Sequence, residues 1–154
     1  MIKIDEADKR ILRALQQDCR LTSDQLGEAC GLSPTAALKR AKRLRSSGII
    51  SKEVAIVSPD KIGMRVLAIV MVTLERENRQ TIDAFKQDLR KSGEIIQAYY
   101  VTGDVDFVLT IAARSMNEYE EFTRDFFYDR NGSIKTFKTL VVLDAVKTAG
   151  AVDI

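Results

Sequence analysis

The stretch LSPTAALKRAKRLR, Leu32 to Arg45, decides how this chain is read. Ser33 fits a helix N-cap, and Pro34 fits the first helical position, where a backbone N–H has no partner anyway. From Pro34 onward the spacing is helical, at about 100° per residue. Ala37, Leu38, Ala41 and Leu44 fall on one side of that wheel. Thr35, Lys39, Lys42 and Arg43 fall on the other, with Arg40 at its edge. Gly48 offers the stop. No Asp or Glu occurs between Glu28 and Glu53, whereas Lys39, Arg40, Lys42, Arg43, Arg45 and Lys52 all lie there. A helix with one apolar face and one uncompensated basic face fits a DNA major groove. A solvated surface helix is the other reading of the same pattern, and the residues before it weigh against that reading.

Thr22-Ser23-Asp24-Gln25 is a capping box, with Leu21 and Leu26 placed as a hydrophobic staple. It predicts a second helix running to about Cys30, with Gly31 free to turn left-handed. Only Gly31-Leu32-Ser33 separates the two helices, the length of a helix-turn-helix connection. Ile4, Ala7, Ile11, Leu12 and Leu15 predict a further helix over Asp5–Asp18, capped by Asp5. Three helices then share a core, and the third is the recognition helix. Ile49-Ile50 and Val54–Val57 read as short strand segments. Ser58-Pro59-Asp60 opens a linker that ends near Gly63.

Composition agrees with a DNA-binding module joined to something else. The 154 residues suit one domain or two small ones. They are 45% hydrophobic, enough for a core, and 30% charged. The net charge of +2 is uneven: residues 1–63 carry +4 and residues 64–154 carry −2. The longest apolar run, Val66–Val72, is too short for a bilayer, and no signal peptide is visible, so a cytoplasmic protein is expected. Cys19 and Cys30 have no His or further Cys to complete a zinc set, and are expected as small buried thiols without a disulfide. With no His in the chain, Ser/His and Cys/His catalysis are excluded, and no enzyme is expected.

The second half reads as β-α-β-β-α-β. Val66–Leu74 is a strand apolar on both faces. Ile82, Phe85 and Leu89 mark a helix that stops at Gly93. Ile95–Val101 and Phe107–Ala113 are strands on either side of the turn Thr102-Gly103-Asp104. Ser115 to Glu118 is a second capping box, opening a helix with Tyr119, Phe122 and Phe126 as its stripe. Asn131-Gly132 ends that connection, and Ile134–Val146 is a long closing strand. The order is the ferredoxin-like split βαβ, so the fold class is α+β: a winged-type helix-turn-helix of three helices, then a ferredoxin-like domain. Expected boundaries are 1–57, a linker at 58–65, and 66–154. Helices on one side of a four-stranded sheet leave its other face bare and apolar. A two-fold dimer would cover that face and place two recognition helices on successive groove faces about 34 Å apart.

Particular residues resemble a known family. They are Asp5, Asp8, Ile11-Leu12, Leu15-Gln16, Arg20, Leu26, Gly31-Leu32-Ser33, Arg40, Lys42-Arg43-Leu44 and Gly48-Ile49-Ile50, then Thr102-Gly103-Asp104-Val105-Asp106-Phe107, Thr139 to Val142 and Val146-Lys147. The chain resembles, over nearly its whole length, the leucine-responsive regulatory protein/AsnC (feast/famine) transcription factors of prokaryotes. It departs from them at Arg45, where the family usually has Glu, and at Ala41, where it usually has a larger aliphatic.

The resemblance implies a transcriptional regulator that binds double-stranded DNA, assembles into dimers and commonly octamers, and uses no cofactor. It also implies an amino-acid effector held between neighbouring domains near the acidic loop. Tyr100, Thr102, Gly103, Asp104, Asp106, Thr139 and Val141 would line that site, with Asp104 or Asp106 accepting from the ammonium. For at least one of Asp104 and Asp106 a turn-capping role, bonding its own backbone, is the plainer reading. On the DNA side Thr35, Lys39, Lys42 and Arg43 would face the groove. Arg40 and Arg45 would reach phosphates, and Ser33 would offer the helix start to another. The alternative is an effector-insensitive, nonspecific DNA-organising protein of the same fold.

Overall fold

The structure, a computed structural model, describes residues 3–75, 78–129, 133–148 and 151–154. Asn131-Gly132, expected to end a connection, lies outside them. The chain forms two compact units: Met1–Ile56 with Lys147–Ile154, and Val57–Val146. The expected domain of 66–154 therefore does not keep its last eight residues, which group with the N-terminal unit.

In the N-terminal unit, α1 (Glu6–Gln17) starts from a reciprocal box. The Asp8 N–H donates to the Asp5 carboxylate at 2.8 Å, and the Asp5 N–H donates to Asp8 at 3.2 Å. α2 (Ser23–Cys30) carries the expected box between Thr22 and Gln25, and Gly31 follows with φ 64°. That left-handed conformation favours glycine because it lacks a Cβ. α3 (Pro34–Ser46) opens with the Ser33 hydroxyl accepting from the Ala36 N–H. Ile11, Leu12, Leu15, Leu26, Cys30, Ala37, Ala41 and Leu44 form the core, with Ile49 and Ile50 half-buried against it. Both thiols are free. Cys30 is buried, which pushes its thiol pKa up, but Cys19 is only half-buried.

Two expectations fail here. Leu38 is not on the buried face: it is 54% exposed. Its wheel angle lies at the margin of the arc that Ala37, Ala41 and Leu44 already fill. Neither Ile49-Ile50 nor Val54–Val57 is a strand; both lie outside any ladder, and Val54–Val57 is exposed. A strand needs a hydrogen-bonded neighbour, and apolar content does not supply one.

The segment Lys147–Ile154 rejoins this unit through α1. The Gln16 amide donates to the Val152 carbonyl at 3.0 Å and accepts from the Val152 N–H at 2.8 Å. Arg13 donates to the Ile154 carbonyl, and the Ile154 side chain packs on the core.

The second unit contains β1 (Val66–Leu74), α4 (Arg79–Lys91), β2 (Ile95–Tyr100), β3 (Phe107–Ala113), α5 (Met116–Thr123) and β4 (Ile134–Val141). The sheet order is β2-β3-β1-β4 with every pair antiparallel, the expected ferredoxin-like topology. β1 alternates buried and half-buried rather than being buried on both faces. Its alternate residues from Val66 to Leu74 meet Phe85, Leu89, Phe126 and Phe127 in the core. β4 ends at Val141, short of the expected Val146, although the Val142 N–H still donates to the Leu67 carbonyl of β1 at 2.8 Å. The expected box at α5 is half made: Ser115 accepts from the Glu118 N–H, but Glu118 accepts from the Arg114 N–H instead of from Ser115. A π-helical turn, Arg124–Asp129, follows α5 and brings both Phe126 and Phe127 inward. Among the described residues, no helix is long and apolar enough to cross a membrane.

Candidate nucleic-acid interface and effector loop

The basic helix α3 is less bare than its own sequence implies. Its neighbour α1 supplies the missing negative charge. The Asp8 side chain is fully buried, at 0% exposure. One of its oxygens accepts from Arg40 at 3.0 Å. The other accepts from Arg43 and from the Asp5 N–H. Arg40 also forks onto Asp5, at 2.7 and 2.9 Å. The Asp8 N–H and the Arg40 guanidinium together lower the Asp5 carboxyl to about 2, and Asp5, then Asp8, raise Arg40. At the far end of the helix Arg45 pairs with Glu53 at 2.7 Å, which raises Arg45 and lowers Glu53.

This alters the expected division of labour. Arg43 was expected to face the groove, yet its guanidinium is turned onto α1. Arg40 and Arg45 were expected on phosphates, yet each is held by a carboxylate. Thr35, Lys39 and Lys42 are exposed, and neither lysine pairs with a carboxylate among the described residues. Ser33 is exposed with its hydroxyl committed to the cap. The sequence did hold a signal for Asp8. It lies three, four and seven positions before Ile11, Leu12 and Leu15, which puts a carboxylate on a buried stripe where it must be paired. For Glu53 no such signal existed.

The turn before α3 is fixed by close packing. A Cβ on Gly27 would stand 2.8 Å from the Leu32 carbonyl oxygen and 3.1 Å from the Pro34 nitrogen. Glycine is thus required in α2 by proximity, not by its φ.

The acidic loop separates its two aspartates. Asp106 is buried, and its carboxylate accepts from the Leu74 N–H at 2.7 Å. Its N–H donates to the Val72 carbonyl and its own carbonyl accepts from Val101, each at 2.9 Å. It closes the loop onto the end of β1, through a residue 32 positions away and not by capping its own turn. Asp104 and Thr102 are exposed, beside Gly103 at φ 131°.

The remaining expected effector residues are divided across the sheet. Tyr100 lies on β2 and Thr139 and Val141 on β4, at opposite edges, three strand spacings or about 14 Å apart. Thr139 shares a 2.5 Å hydrogen bond with the Tyr119 hydroxyl, whose pKa burial raises. One chain does not bring the set together. A cavity of about 340 Å³ between α4 and β2 is lined by Lys86, Arg90, Tyr100 and Phe107 among others. Lys86 Nζ sits 4.4 Å from the centre of the Tyr100 ring. Lys86 and Arg90 were not among the expected site residues. They lie on α4, outside the Thr102–Phe107 motif, and carry no pattern of their own. Among the described residues, no group of three or more Cys, Asp or Glu is arranged to hold a metal.

Comparison with known proteins assigns both units. The family model for the Lrp/AsnC ligand binding domain matches residues 67–152, and that for a winged helix-turn-helix DNA-binding domain matches residues 4–51. An uncharacterized HTH-type transcriptional regulator of Sinorhizobium fredii is 52% identical over 153 residues, covering 99% of this chain and 90% of its own. The transcriptional regulator AzlB of Bacillus subtilis is 37% identical over 153 residues, covering 99% and 97%. Among solved structures, a Neisseria meningitidis transcriptional regulator in complex with L-Met superposes with a TM-score of 0.91 at 27% identity, covering 98% of this chain and 97% of that one. With a helix-turn-helix in one unit and the ligand-binding fold in the other, this chain belongs to the Lrp/AsnC family of transcriptional regulators.

Proposed function

We propose that the chain is a sequence-specific DNA-binding regulator that works in the cytoplasm, has no catalytic role, and changes its DNA binding when an amino acid occupies a site between subunits. The observation that carries this reading is the division of charge on α3. Arg40 and Arg43 anchor the helix to Asp5 and Asp8, while Thr35, Lys39 and Lys42 stand outward without carboxylate partners among the described residues. An anchored helix with a free polar arc can hold one orientation in a major groove. A helix whose cations all served internal pairs could not contact phosphates as well. Residues 1–57 would be the DNA-binding domain, 58–65 the linker and 66–154 the effector and assembly domain, with Lys147–Ile154 returning to the first.

The effector part rests on two supports. A regulator of the same fold binds L-Met. The loop Thr102–Asp104 exposes main chain and one free carboxylate, suited to the carboxylate and ammonium of an amino acid. Since Tyr100 and Thr139 stand at opposite sheet edges, a site that uses both takes them from different subunits. This requires at least a dimer, and the larger assemblies of the family are consistent with it. Asp104 is the ammonium partner in this reading, because Asp106 is already committed to Leu74.

The test is binding of the pure protein to its own upstream DNA against a length-matched scrambled duplex, at near-physiological salt, with and without the twenty amino acids. Preferential binding that shifts with amino acids supports both parts. Equal binding to both duplexes with a steep salt dependence would replace this reading by a nonspecific DNA-organising protein.

A further inference from the structure

Leu38 is an anomaly on α3. The buried arc of the helix is complete without it, since Ala37, Ala41 and Leu44 are each fully buried. A single exposed leucine on an ordinary surface needs no explanation. This one lies in the first half of α3, five residues after the Ser33 cap, and is 54% exposed. Thr35 stands one turn before it, Lys39 beside it and Lys42 one turn after, so it belongs to the outward arc and not to the core. In a helix-turn-helix, the N-terminal residues of the second helix are those that reach base edges.

A leucine there can form no hydrogen bond. The apolar group that a B-form major groove offers is the C5-methyl of thymine, a feature that distinguishes T·A from the other pairs. We propose that Leu38 packs against a thymine methyl and fixes a T·A pair in the recognised sequence, between positions contacted by Thr35 and Lys42. This rests on the reading of α3 as a DNA-recognition helix and adds to it the identity of one base.

The wild-type chain is used to select duplexes from a randomised pool. Each thymine of the selected sequence is then replaced singly by deoxyuridine, which removes the methyl group and leaves the pairing unchanged. The expected result is one thymine per half-site at which the replacement weakens binding about four-fold, the value of one methyl-sized group taken out of water. Leu38→Ala should bind the thymine and uridine forms alike at that position, while retaining the wild-type response elsewhere. Leu38→Met, which keeps an apolar side chain of similar size, should retain the methyl sensitivity. Both variants change an exposed side chain, and unchanged melting curves would verify their folding. Identical uridine profiles for wild type and Leu38→Ala would overturn the proposal, as would a selected sequence in which no thymine methyl counts. A wild-type chain that selects no sequence at all would instead overturn the underlying sequence-specific reading, and Leu38's role with it.

Discussion

Replacing Asp8 by asparagine tests the ionic anchor between α1 and α3. The side chain keeps its shape but loses its charge, and its amide N–H₂ is then presented to an arginine that needs an acceptor. Asp8 is 0% exposed, whereas Arg40 and Arg43 are 31% and 45% exposed. Breaking a buried ion pair from one side costs about 3–5 kcal/mol when the remaining charge is trapped. Here both guanidiniums can turn outward to water, and Arg40 keeps Asp5, so the lower end applies, about 3 kcal/mol. For a chain of this size that lowers Tm by about 6–12 °C, and by about twice as much if the N-terminal unit melts alone.

Far-UV circular dichroism during a thermal ramp measures the change, with Arg43→Met and the double variant completing a cycle. A coupling above about 1 kcal/mol is expected between contacting residues. A Tm loss below about 2 °C for Asp8→Asn, or additive effects in the cycle, would refute the anchor. The released arginine carries a second consequence. Affinity for random DNA should rise with a steeper salt dependence, because Arg43 loses its carboxylate partner while Arg40 stays on Asp5, and one more cation becomes available to phosphates.

Three further outcomes follow from the same geometry. The Asp5 carboxyl, lowered from 3.8 to about 2, contributes stability that is complete above about pH 4 and is lost as pH falls through 2; an NMR titration of its side-chain carbon should find a midpoint well below 3, and a midpoint near 4 would contradict the Asp8 and Arg40 contacts. Gly27→Ala should cost about 1–3 kcal/mol in urea denaturation and weaken DNA binding, because its methyl displaces the Leu32–Pro34 backbone that starts α3; unchanged stability would mean the turn yields freely. Asp106→Ala should destabilise the second unit by about 1–3 kcal/mol through the unpaired Leu74 N–H, whereas Asp104→Asn should leave Tm within about 1 °C and abolish any amino-acid response. The opposite pattern would exchange the roles of the two aspartates.

Most of the fold was legible because its signals are local. The Thr22–Gln25 box, Gly31 and Ser33-Pro34 each act within a few residues, and the helices start and stop where they direct. What was not legible depends on neighbours distant in sequence. A helical wheel gives the direction of Arg43 but not the carboxylate 35 positions earlier that meets it. The same wheel placed Leu38 at a margin, and core volume already filled by Ala37, Ala41 and Leu44 decided the matter. Val54–Val57 had strand composition without a strand partner. In the loop, Asp104 and Asp106 look equivalent on paper, and only the end of β1 distinguishes them.

The return of Lys147–Ile154 to α1 bears on how such a protein can be divided. The N-terminal unit is built from two lengths of chain, joined through the whole of the second unit. The Val152 backbone and Gln16 form a docked pair within one molecule, so the second unit acts as a tether that sets the local concentration of the tail. Cutting at the linker therefore does not release an intact module; it removes the Ile154 side chain from the core and leaves Gln16 and Arg13 facing water. Exchange of helix-turn-helix segments between relatives would pair each new α1 with a foreign tail. The two units can be recombined only if the terminal residues travel with the helix they pack against.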